Sequence, residues 1–340
     1  MDVGFGLISC QRYPGDPRSD EQLYHEALSL SEEAERLGFD SVWLTEHHFV
    51  DDSYMPSLLP VAAAIAARTE RIRIGTGLLL APLYEPVRLA EDAATVDLLS
   101  GGRLVLGLGQ GWRAEEFEAL RVPLIGRHRR LEDTVATLRQ AWTGELVTGG
   151  EVTSYPGVAV TPAPAQPGGP PIWIGAMEEP AIRRTGRIAD GFIAAEVTPE
   201  SYAMQVGWAR EELERAGRLR EEFTSALYVP TFAWEEPDAW ERVASHYHYV
   251  TWKYEDMAEA RGRRPPPSAP PGIGEREAAL RASMIVGDPE EVSARIRQFD
   301  EAAGGGVHCI AQLYWPGLDP GVQREALAVF GERVIPALRN

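Results

Sequence analysis

Short strand-like runs alternate with amphipathic helical stretches along most of this 340-residue chain, and no other feature constrains the fold as tightly. The spacing predicts strands at 3–9, 41–47, 72–80 and 104–108, with helices at about 20–37, 57–69, 87–99 and 127–142. Glycine and proline punctuate them: Gly38 suits the position just after the first helix, Pro86 its first turn in the third, and Ser100-Gly101-Gly102 closes that helix. Leu131, Val135, Leu138 and Trp142 fall on one face of the fourth. Residues 145–170 break the rhythm with β-like pieces around Val147, Val152 and 158–160 and a Pro/Gly-rich run, and read as an insertion. Strands resume at 171–175, 191–195, 225–229 and 308–313.

Eight strands, most followed by a helix, imply right-handed crossovers and parallel pairing, and so a closed (β/α)8 TIM barrel in one α/β domain spanning 1–340. An open doubly wound sheet is the alternative. It would carry a glycine-rich phosphate turn after its first strand, where this chain has Ser9-Cys10-Gln11-Arg12-Tyr13. Hydrophobic residues at 44% and charged residues at 25% allow a large core.

Composition excludes several partner classes. A net charge of −18 with no basic stripe argues against nucleic acid. Lys253 is the only lysine, so 32 of the 33 basic residues are arginine, the better bidentate phosphate ligand. Cys10 and Cys309 have neither metal-ligand nor disulfide-framework spacing, which points to a reducing, cytoplasmic setting. No secretory leader or apolar run of about 18 residues is present, so neither export nor a membrane partner is expected.

The strongest site candidate is Glu46-His47-His48-Phe49, at the end of the second predicted strand, because strand ends of such barrels carry the chemistry. A histidine there either satisfies the strand end or moves protons near neutral pH. The proline-rich segment at about 259–275 cannot form a regular helix, and reads either as a mobile lid over the barrel mouth or as an insertion without a role. Before it, Tyr247, Tyr249, Trp252 and Tyr254, with His246 and His248, form an aromatic helical stretch suited to a substrate-pocket wall or to ordinary packing.

Together these residues resemble the bacterial luciferase-like flavin monooxygenases. The resemblance rests on residues 38–49, on Gly75-Thr76-Gly77 followed by Pro82 and the 86–92 segment, on Leu99-Ser100-Gly101-Gly102-Arg103-Leu104, and on Gly287-Asp288-Pro289-Glu290-Glu291-Val292. It implies a barrel mouth that binds reduced FMN, reacts it with oxygen to a flavin hydroperoxide and oxygenates a small organic substrate. A separate flavin reductase would supply the reduced FMN, and a homodimer would form through helices near the second and third strands.

Carried over residue by residue, the resemblance makes His47 the catalytic group beside the flavin, with Glu46 and His48 supporting it. Thr76, Gly77 and Leu78 would lie beneath the ring, with a cis bond between Gly77 and Leu78, and Gly109 and Gln110 along the ribityl-phosphate chain. Arg129, with the turn Ala176-Met177-Glu178, would hold the phosphate; no metal is implied. The chain departs from luciferase itself, since Gly109 stands in place of a reactive cysteine and Gln110 in place of a phosphate-binding arginine, so light emission is not implied. Two carboxylates, Glu178 and Glu179, oppose a phosphate unless they point outward. The competing readings are a deazaflavin-dependent oxidoreductase of the same barrel superfamily, a non-catalytic flavin-binding relative, and a metal hydrolase built on His47, His246 and His248. The last is disfavoured because helical residues two apart diverge by about 200 degrees.

Overall fold

Parallel pairing closes eight strands into a ring: Asp2–Ile8, Ser41–Leu44, Arg73–Thr76, Leu104–Gly109, Ile172–Gly175, Gly191–Ala194, Thr224–Ala233 and His308–Gln312. They are called barrel strands one to eight below. The structure is a computed structural model and describes residues 1–218, 222–259, 261–262 and 266–339. Closure is complete on both flanks of the first strand, which runs from Asp2 opposite His308 to Gly6 opposite Gln312 and also pairs with the second strand.

Local chemistry starts the helices where the pattern places them. Ser19 and Gln22 form a reciprocal capping box before helix Asp20–Arg36, and Asp288 caps helix Pro289–Ala303 through the Glu291 amide, with proline at the first turn. The apolar stripes of these helices meet the outward-facing strand residues in one large core. The barrel interior holds a second cluster of Trp43, Val105, Trp173, Ile193, Ala226 and Ile310, with Trp43 and Trp173 stacked at 5.2 Å. Leu7, Leu78 and Tyr228 lie half-buried on top of it. They form the floor of the mouth.

Three departures from the periodic reading shape the site. The second strand ends at Leu44 rather than residue 47, because the chain peels away and the His47 amide turns to the Met55 carbonyl at 3.2 Å. The third is interrupted: Arg73–Thr76 pairs with the fourth strand, Leu79–Leu80 pairs with it again further on, and the peptide between Gly77 and Leu78 is cis. The seventh outgrows the barrel, so that Thr231–Ala233 pair with a short strand, Ile285–Gly287, outside the ring. The long helix Ala239–Glu259 packs on that extension through a satellite core that includes Phe232, Trp240, Tyr247 and Trp315. Its last turns return over the mouth.

The insertion is a two-stranded antiparallel hairpin, Leu146–Gly149 with Ser154–Ala159, apart from the barrel sheet. Among the described residues no helix is long and apolar enough to cross a membrane. Cys10 and Cys309 are both free and buried.

Candidate functional site

His47 stands where the chain leaves the second barrel strand, with only 4% of its surface exposed. Its Nδ1 lies 2.9 Å from Glu116 Oε1, and the same oxygen accepts the His48 amide at 2.9 Å. With Nδ1–H donating to the carboxylate, Nε2 is the basic nitrogen, and it makes no hydrogen bond among the described residues. Glu116 Oε2 is buried and also without a partner. A buried imidazole–carboxylate pair with one open nitrogen and one open oxygen can take up, hold and return a proton.

Aromatic rings shut this pair away from solvent. Tyr54, Trp112 and Tyr254 meet the His47 ring edge-on at 4.9, 5.8 and 5.5 Å, and Trp112 stacks on Tyr254 at 6.4 Å. The Tyr54 hydroxyl bridges Thr45 Oγ1 and the Tyr254 hydroxyl, 3.1 Å from each. Burial pushes both phenols above their ordinary values, so they remain neutral donors at any working pH. On the rim Phe49 and Trp112 stay 49% and 40% exposed, which leaves an apolar lip around the mouth.

A family model described as luciferase-like monooxygenase matches residues 3–305. The chain belongs to the luciferase-like monooxygenase family. Its similarity to the oxygenase component of a flavin-dependent trigonelline monooxygenase from Acinetobacter baylyi is 32% identity over 177 residues, 51% of this chain and 49% of that protein. To an F420-dependent glucose-6-phosphate dehydrogenase from Microbacterium testaceum it is 30% over 349 residues, covering 96% and 97% of the two chains. The solved monooxygenase RslO1 from Streptomyces bottropensis shares the fold, with a TM-score of 0.86 at 24% identity over 99% of both chains. This luciferase-like protein is therefore an enzyme, an oxidoreductase of the family, and a flavin-type cofactor goes with that membership.

The structure distributes the expected site residues of this luciferase-like barrel unevenly. His47 is at the mouth, but Glu46 is not its partner. The Glu46 carboxylate takes His48 Nε2 at 2.7 Å, the Leu80 amide at 3.3 Å and the Tyr84 hydroxyl, which ties the second strand's end to the third's. Burial raises the Glu46 carboxyl above its usual range, and the bond to His48 only partly offsets this. The carboxylate on His47 is Glu116, which the sequence reading missed. It sits on a helix of six residues, Ala114–Ala119, too short to show a period; the one available signal was a glutamate next to the buried Phe117 just beyond a barrel strand.

The Thr76 hydroxyl donates to the Gly107 carbonyl at 2.7 Å, so it braces the sheet instead of facing the mouth. Gly107 is required there: a Cβ would lie 1.9 Å from the Thr76 carbonyl oxygen. Gly77 and Leu78 are at the floor, with the cis bond the resemblance implies, and Leu78 covers Gly109 and Gly175, where a Cβ would come within 3.1 and 2.1 Å of it. Gln110 is half-buried beside them. Arg129 is exposed near the start of helix Arg127–Trp142, whose first turn carries no acid; Arg127 is turned toward the Gly111 carbonyl at 3.0 Å. Ala176 is buried, Met177 and Glu178 are exposed, and Glu178 does not cap the helix it precedes. Glu179 bonds Arg183 at 2.7 Å along the helix surface.

Of the aromatic stretch, only Tyr254 reaches His47. Tyr247 bonds Ser283 Oγ at 2.8 Å inside the satellite core, and Tyr249 bonds Asp52 Oδ2 at 2.9 Å, while Trp252 packs on Tyr249. His246 and His248 bond separate carbonyls, those of Pro316 and Pro271. The only lysine is fully buried between Asp51 and Asp256 on this helix. The segment after it crosses back: Gly262 N donates to Glu115 at 2.9 Å and Ser268 Oγ to Asp51 at 2.9 Å. Within the proposed 259–275 lid, residues 260 and 263–265 lie outside the described residues.

Proposed function

We propose that this enzyme is a reduced-FMN-dependent monooxygenase that oxygenates a small organic substrate. The observation that carries the reading is the His47–Glu116 pair, buried under Trp112 and Tyr254 at the end of the second barrel strand. Reduced FMN supplies the electrons with which oxygen is activated. His47 Nε2 then exchanges the proton that such chemistry requires near neutral pH, while Glu116 fixes the tautomer and stabilises the charged imidazole. Trp112, Tyr54 and Tyr254 cover His47 and would keep bulk water from the chemistry that a bound flavin would supply there.

The residues present fit a flavin. Leu7, Leu78 and Tyr228 offer a flat, mostly apolar floor for a ring, and Gly109 and Gly175 have no side chain to lift Leu78 from it. For the phosphate, Gln110 and Arg129, with the main-chain amides of Met177 and Glu178, are the holding groups, since the Ala176 amide is taken by the Ile193 carbonyl at 3.3 Å. Support comes from the free start of helix Glu179–Ile188 and from the outward position of both carboxylates there. A flavin reductase as electron source, a homodimer and cytoplasmic residence complete this reading.

The second reading, hydride transfer with an 8-hydroxy-5-deazaflavin, is favoured by the full-length similarity to the F420-dependent dehydrogenase. The experiment supplies reductase-regenerated FMN, isotopically labelled oxygen gas and a panel of small uncharged organic compounds. Gain of a labelled oxygen atom by one of them is the expected result. Substrate conversion that instead needs the deazaflavin and adds no label would replace this reading with the second.

A further inference from the structure

Arg113 opens the short helix that carries Glu116, and it is only 4% exposed. A guanidinium withdrawn from water needs acceptors for its N–H groups, and here they come from separate parts of the chain. Nη1 donates to the His48 carbonyl, Nε to the Met257 carbonyl at 3.1 Å, and Nη2 reaches the Phe49 carbonyl at 3.5 Å while pairing with Glu115. His48 and Phe49 directly follow His47, Glu115 directly precedes Glu116, and Met257 lies one turn beyond Tyr254. The elements gathered by this one side chain are those that supply His47, its carboxylate and its aromatic cover.

The turn it grips has an uncommon backbone. Phe49 and Ser53 have φ of +57° and +61°, a left-handed conformation that side-chain-bearing residues keep only where their surroundings enforce it. Arg113 accounts for part of that enforcement through the carbonyls of residues 48 and 49. A planar fork fixes several acceptor directions at once, which a lysine ammonium cannot do.

We propose that Arg113 is a positioning residue for the His47–Glu116 pair: it holds the residues that adjoin the pair and through them sets the imidazole against its carboxylate. The titratable groups seen against His47 are Glu116 from the short helix, Tyr54 from its own turn and Tyr254 from the long helix, while the Arg113–Glu115 and Glu46–His48 pairs lie on residues that adjoin the His47–Glu116 pair in sequence. The Asp51–Lys253–Asp256 cluster and Asp52 stand behind them.

The proposal rests on the reading of His47 as a proton carrier, and its first test needs no flavin. In cofactor-free protein the His47 Nδ1–H bonded to Glu116 is expected to give a low-field proton resonance, to be assigned by its loss in His47→Gln. Arg113→Ala is expected to lose that resonance while its thermal unfolding stays cooperative, and added guanidinium ion is expected to restore it. In turnover, kcat/KM falls roughly 10- to 100-fold, with a displaced pH profile and a smaller change in KM for reduced FMN. Should Arg113→Ala fail to fold, Arg113→Lys takes its place and is expected to weaken the resonance with the fold intact. A folded variant that keeps both the native resonance and the native pH profile would overturn the proposal. If the resonance responds as expected while even native protein fails to turn over reduced FMN, Arg113 keeps its role and the monooxygenase reading falls.

Discussion

At the residue scale, the function proposed for the mouth rests on a contact between two segments that follow barrel strands, 69 residues apart. Glu116 gives one oxygen to His47 Nδ1 and to the His48 amide and leaves the other unpartnered in a buried setting. A neutral amide of the same shape accepts both bonds but cannot balance a charged imidazole, so Glu116→Gln isolates the electrostatic part of the interaction. We expect kcat/KM to fall roughly 10- to 100-fold in Glu116→Gln. Steady-state kinetics on the folded variant check this; an unchanged kcat/KM would mean that Glu116 serves packing alone. His47 could be singled out because it follows a predicted barrel strand and matches the position that the family resemblance puts beside the flavin, and the structure places it at the mouth. Glu116 was not, because nothing in Arg113-Ala114-Glu115-Glu116-Phe117 tells which glutamate turns inward until Phe117 is seen to anchor the turn.

At the element scale, helix Ala239–Glu259 is the piece that converts a barrel end into a closed site. It is carried there by the outgrown seventh strand and fastened by three residues in its last two turns. Tyr254 bonds Tyr54, Met257 accepts from Arg113, and Lys253 is buried between Asp51 and Asp256. Removing one partner of a buried ion pair leaves charge in a poor solvent, so Lys253→Met is expected to lower unfolding free energy by about 3–5 kcal/mol. Denaturant titration measures it; a loss below about 1 kcal/mol would show that the cluster relaxes to water. Helical periodicity could mark this stretch as amphipathic, yet it could not choose Tyr254 from Tyr247, Tyr249 and Trp252. All four are aromatic, Tyr247 and Tyr254 share nearly one face with Tyr249 and Trp252 on the other, and only the return over the mouth decides which one meets His47. The strand Ile285–Gly287 was equally hidden, since three residues carry no period of their own.

At the scale of the whole molecule, the barrel was readable from the sequence because its rule is repetitive: apolar runs of strand length, amphipathic helices between them, and glycine or proline at the junctions. The hairpin insertion stood out for the opposite reason, as a break in that rhythm. The early end of strand two and the outgrowth of strand seven were not readable, because each depends on a partner far along the chain; the break in strand three was expected only through the resemblance, as the cis bond between Gly77 and Leu78, and all three shape the mouth. The central claim is that this mouth takes reduced FMN. Anaerobic titration of the protein with reduced FMN and, separately, with the reduced deazaflavin cofactor tests it most directly. Saturable binding of reduced FMN with Kd on the order of tens of micromolar or tighter is expected, with weaker binding of the deazaflavin. Tight deazaflavin binding with none of reduced FMN in the same range would contradict it.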